Sequence, residues 1–84
     1  MNRTDIYVLI DRERTRQSEQ WGGAHDWGFG DCSEPKLAPI VKAAVLTEEV
    51  GEVARDVLDR SGDDSLRVEL VQVAAVAVAW LESL

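Results

Sequence analysis

Cysteine is nearly missing from this chain: Cys32 stands alone among 84 residues. An intrachain disulfide is therefore excluded, and a lone thiol with no recognisable base or resolving partner in sequence fits a reducing cytosol. Histidine is equally scarce. His25 has no cysteine or second histidine near it, which argues against zinc and favours hydrogen bonding to substrate or backbone. Positive charge is in short supply too. Nine Lys and Arg face sixteen Asp and Glu, a net charge of −7, which argues against a nucleic-acid backbone or an anionic membrane as partner. Long hydrophobic runs are also wanting. The apolar run after Asp5 ends at Asp11, unlike a signal peptide, and the stretch from Val73 to Leu81 is too short to span a bilayer. Together these absences predict a soluble, cytoplasmic protein.

What is present is a single short domain, residues 1–84, patterned for helices. At this length a core is marginal and oligomerisation is expected. Thr4 or Asp5 is placed to cap a first helix from near Ile6, with Ile6, Leu9 and Ile10 as its apolar face. That helix then turns polar from Asp11 to Gln17, with opposite charges interleaved, and ends before Gly22 and Gly23. Its last turns either form a salt-bridged, solvated face or present Arg and Gln to a ligand. From Trp21 to Lys36 the chain reads as a loop, broken by Gly22, Gly23, Gly28 and Gly30 and closed by Pro35. Trp21, His25, Trp27 and Phe29 make this loop unusually aromatic, suited to stack on a planar base or to cover the helices as a lid. Pro39 suits the first turn of a second helix over about 38–60. Gly51 within it costs about 1 kcal/mol relative to Ala, which points to close approach by another backbone or by a ligand. Ser61-Gly62-Asp63-Asp64 makes a turn, and Asp64 or Ser65 caps a third helix over about 65–83, rich in Val and Ala. A helix apolar almost all round must be covered all round, more than two other helices can do. The expected fold is an all-α bundle of about three helices, completed by oligomerisation as a homo-dimer or homo-tetramer.

The acidic surplus is concentrated. Residues 48–69 hold eight acids against three bases, and two phrases stand out within apolar helical stretches: Glu48-Glu49-Val50-Gly51-Glu52 and Glu69-Leu70-Val71-Gln72. Residues three apart share a helix face, so Glu49 lies beside Glu52 and Glu69 beside Gln72. Two such pairs on facing helices make an oxygen cage. Like charges so spaced destabilise a helix by a few tenths of a kcal/mol, so either water solvates the face or a hard divalent cation binds there. Leu46, Val50, Val53 and Val57 form the apolar stripe of this second helix, with Glu49 just off its edge. Glu69 and Gln72 interrupt an otherwise apolar helix, and a polar pair there needs partners.

These residues carry a resemblance. The phrase EEVGE followed by ELVQ is similar to the EExxE…ExxD signature of the MazG-like, all-α nucleoside triphosphate pyrophosphohydrolases, a superfamily that includes dimeric dUTPases and dCTP pyrophosphatases. The stretches RTRQSEQWGGAH and ELVQVAAVAVAWLE also resemble small phage and bacterial MazG-like proteins, so the likeness covers most of the chain. It implies hydrolysis of an NTP or dNTP to the monophosphate and pyrophosphate, with Mg²⁺, or Mn²⁺ in its place, held by Glu49, Glu52 and Glu69. Gln72 stands where the family usually has Asp; its amide oxygen can ligate but adds no charge and cannot act as a base. Glu48 is the spare carboxylate to activate or orient water. Arg14, Arg16 and Lys36 are placed to meet phosphates, and Gln17, Trp21 and His25 to hold base or sugar. The substitution at Gln72 keeps an alternative open, a catalytically weak helical module that binds metal or nucleotide or serves as an interaction subunit.

Overall fold

The computed structural model describes residues 1–84. Asn2 opens the first helix: its side chain accepts a hydrogen bond from the Asp5 backbone N–H at 2.9 Å, so α1 runs Arg3–Trp21. The cap is therefore Asn2 and not Thr4 or Asp5; Asn satisfies the orphan N–H groups as well as either. The aromatic loop contains a two-stranded antiparallel hairpin, β1 (Ala24–His25) against β2 (Gly28–Phe29), with His25 paired to Gly28. Pro39 starts α2 (Pro39–Asp59), which ends where Arg60 takes the left-handed conformation at φ 52°. The next helix, α3 (Asp63–Glu82), follows Gly62 and has no side-chain cap. Asp63 and Asp64 in its first turn favour the positive end of the helix dipole instead. The expected cap by Asp64 or Ser65 is not formed because the helix already begins at Asp63, which puts both inside its first turn; the Ser65 hydroxyl donates to Asp56 Oδ2 at 2.5 Å instead.

The all-α expectation holds, with α3 as the central element: α1 and α2 each pack against it and barely touch one another. The buried apolar residues are few. Cys32, Leu37, Ala75, Val76 and Ala79 form the centre, with Val45 and Leu46 packed on it. The stripe expected on α2 is only half right. Leu46 and Val53 are partly buried, whereas Val50 and Val57 are exposed. The face of α2 that meets α3 runs instead through Lys42, Leu46, Glu49, Val53 and Asp56. This is an alternating spacing of four and three, the seam of two helices packed nearly antiparallel. It is met by Ser65, Glu69, Gln72, Val76 and Ala79 of α3 and by its C-cap Ser83.

Gly51 is also not where close approach occurs within the chain: a Cβ there would meet nothing within 4 Å. Beyond the seam, Val57, Leu58, Val68, Leu70 and Leu81 are half or more exposed, so one chain leaves α3 uncovered on part of its circumference. No helix is long and apolar enough to cross a membrane.

Candidate functional site

Because α2 and α3 are antiparallel, the polar residues of their seam meet in layers. At one end Asp56 accepts from Ser65, and at the other Lys42 Nζ donates to Ser83 Oγ at 2.8 Å. Both end layers match one charged group with a neutral hydroxyl that satisfies it. The middle layer is different, because there carboxylate faces carboxylate. Glu49, Glu52 and Glu69 each place an oxygen within 4.8 Å of the others. None of the three joins an ion pair. Gln72 lies among them. With its amide assigned by hydrogen bonding, its nitrogen donates to Glu69 Oε2 at 2.9 Å and to Glu49 Oε2 at 3.3 Å.

The crowding has an electrostatic signature. Burial, and then the charges of Glu52, Glu69, Glu48 and Glu13, push the Glu49 carboxyl up to about 7. Glu69 is also raised, by burial first and then by its hydrogen bond to Glu52 and the charges of Glu52 and Asp56. A group held so far from its ordinary range in a partly buried cluster marks a functional candidate.

Beside this layer lies a cavity of about 150 Å³, formed where the end of α1, the hairpin loop and the first turns of α2 close over Val76 of α3. It gathers most of the residues assigned to substrate. Arg16, Gln17, Trp21 and His25 line it together with Glu48 and Glu49, and Trp27 joins them. Lys36 does not. Its backbone N–H donates to the Glu34 side chain, and its own side chain stands exposed outside the cavity wall.

Several of these side chains already have work within the fold. Arg14, assigned to phosphate, is buried: it donates to Glu82 at 2.9 Å, Asp31 at 3.2 Å, and Gln17 and Ser18 at 3.3 Å. Burial opposes its charge, but the Glu82 hydrogen bond and the Asp31 carboxylate more than compensate and raise its pKa. Arg14 is thus a structural tie between α1, the loop and α3. Arg16 lies on the cavity wall but clasps Glu13 through two bonds of 2.7 and 2.6 Å, and donates to Gln20 at 2.7 Å. The charge of Glu49 reaches it only at longer range. His25 Nε2 bonds the Gly30 carbonyl at 2.7 Å and Nδ1 accepts from the Trp27 N–H at 3.3 Å. Both ring nitrogens therefore secure the hairpin, so of the two roles expected for His25 the backbone one is realised. Gln17 gives its oxygen to Arg14, and its amide nitrogen has no bonded partner in the chain.

Asp31 was missed by sequence reasoning. It receives hydrogen bonds from Ser18, from both the backbone and the side chain of Ser33, and from Arg14. Burial would raise its carboxyl, yet the Ser33 and Ser18 hydrogen bonds and the Arg14 charge hold it at about 2. The signal was available, since Asp31-Cys32-Ser33 has the order in which an Asp side chain caps the N–H two residues on. Comparison with family models, with curated proteins and with solved structures returned no match.

Proposed function

We propose that the protein is a Mg²⁺-dependent nucleoside triphosphate pyrophosphohydrolase that converts an NTP or dNTP to the monophosphate and pyrophosphate. The observation that carries this reading is the unpaired layer of Glu49, Glu52 and Glu69, set beside a cavity walled by indole rings. The donor set suits Mg²⁺, or Mn²⁺ in its place. All donors are hard oxygens within 4.8 Å of one another, so Glu49, Glu52 and Glu69 would hold the ion by drawing in toward it, with waters and phosphate oxygens completing its shell. The repulsion that raises Glu49 is also what a cation relieves. Turning the Gln72 amide over would offer its oxygen as a further ligand.

A bound ion would neutralise triphosphate charge and polarise the phosphorus under attack. The protein's own groups do the rest. Glu49, Glu52 and Glu69 would hold the ion that the triphosphate meets, and Trp21 and Trp27 hold the base. Glu48, outside the trio but on the cavity wall, takes the proton from water. The water oxygen bonds to the α-phosphorus as the α–β bridging bond breaks and pyrophosphate departs. The exposed apolar surface of α2 and α3 supports assembly as a homo-dimer or homo-tetramer.

One observation favours a second reading. The Gln72 amide bridges Glu49 and Glu69 without any ion, so the layer can satisfy itself in part and the chain could act as a binding module with little activity. A panel of NTPs and dNTPs incubated with Mg²⁺, with products separated, decides between them. Monophosphate with pyrophosphate supports the enzyme; intact nucleotides across the panel support the module.

A further inference from the structure

The cavity differs from an ordinary base-stacking slot in what surrounds its rings. Trp21, His25 and Trp27 stand as a triangle, with centroids 6.0 Å apart from Trp21 to His25, 6.3 Å from Trp21 to Trp27 and 6.0 Å from His25 to Trp27. Indole rings so grouped attract a cation that approaches one of their faces within roughly 6 Å. Both ring nitrogens of His25 are engaged by the hairpin backbone, one with the Gly30 carbonyl and one with the Trp27 N–H.

The charged groups on the cavity wall point the same way. Arg16 is held by Glu13, and Asp31 by Arg14, Ser18 and Ser33. That leaves Glu48, in no ion pair, as the free carboxylate facing the space, while Glu49 beside it draws on the Gln72 amide. When a metal engages Glu49, Glu48 still remains. Aromatic rings beside a free carboxylate suit an organic cation better than a neutral ring of the same size. The enclosed part of the space, about 150 Å³, matches about one six-membered ring.

We propose that this cavity selects a positively charged, N-alkylated single-ring nucleobase over its neutral counterpart. Joined to the hydrolytic reading, on which this inference rests for its biological sense, it makes the substrate an alkylation-damaged pyrimidine nucleotide. The site would clear a lesion by its charge. Standard pyrimidines, being neutral, would occupy it less well.

The test separates binding from hydrolysis. 3-Methylcytidine is a cation near neutral pH, and 3-methyluridine carries the same methyl group on a neutral ring of the same size. Titration calorimetry of the full chain with each nucleoside, without metal or phosphates, is expected to show 3-methylcytidine binding at least tenfold more tightly. Tenfold is the scale of one partly desolvated cation–π contact reinforced by a carboxylate. Glu48→Gln should lower the ratio several-fold, and Trp27→Ala should weaken 3-methylcytidine binding several-fold. Should a variant fail to fold, added salt on the wild type serves in its place, since it narrows the gap only if charge is being read. Equal binding of the two nucleosides, or no binding of either, overturns the inference. Hydrolysis of neutral NTPs alongside equal nucleoside binding would sink this inference and leave the enzyme standing. Charge-selective binding without hydrolysis of any triphosphate would do the reverse.

Discussion

Ionising Glu49 destabilises the fold, since burial and neighbouring carboxylates lift its carboxyl from 4.5 to about 7. For an acid raised on folding, the native state binds the proton more tightly, so the penalty is absent below about 4.5 and complete above about 7. Allowing for solvent screening of a partly exposed group, it amounts to about 1 kcal/mol. Glu49→Gln should therefore stabilise the metal-free protein at pH 8 by about 1 kcal/mol, leave it unchanged at pH 4, and nearly abolish hydrolysis. Denaturant melts at both pH values check the first two, and a variant less stable at pH 8 would make the carboxylate layer a structural one. Asp31 has the opposite sign. Its carboxyl is depressed from 3.8 to about 2, so its contribution is present above 3.8 and lost as pH falls through about 2. Asp31→Asn should cost about 1 kcal/mol at neutral pH after the same allowance, and should flatten the acid limb of stability against pH.

At the scale of elements, helix periodicity made three helices and an aromatic loop legible, and the acidic phrases lay where the carboxylates meet. The seam between α2 and α3 was not legible in the same way. Apolar periodicity selects Val50 and Val57, whereas the buried face carries Lys42, Glu49 and Asp56 at every seventh residue. Each of these is accommodated by a polar partner on α3, and a partner across an interface cannot be seen from one helix alone. Two-residue strands are likewise too short to show alternation, so the hairpin stayed hidden. Glycines test both regions. Gly30 sits at φ +88°, and a Cβ there would lie 2.7 Å from Glu34 Cβ, so Gly30→Ala should destabilise by about 1–3 kcal/mol and loosen the cavity. Gly51→Ala has free space and should stabilise a lone chain by about 1 kcal/mol. If sedimentation instead shows that Gly51→Ala weakens self-association, a second copy approaches at that turn of α2.

On the scale of the whole molecule, the two halves of the site are anchored unequally. The carboxylate layer lies wholly between α2 and α3, which a tight turn joins, so forming it closes only a short loop. The cavity depends as well on α1, which buries only Arg14 and Gln17 fully and is tied by Arg14 to Glu82 of α3 and to Asp31 of the loop. Amide hydrogen exchange should accordingly show α1 opening at lower free energy than the α2–α3 pair, and Arg14→Ala should speed exchange in α1 while sparing the pair. Each such opening carries Arg16, Gln17 and Trp21 away and leaves Glu49, Glu52, Glu69 and Gln72 together. The base end of the site then behaves as an intermittent door on a standing phosphate end, and a nucleotide that bridges the two should slow exchange in α1 most of all.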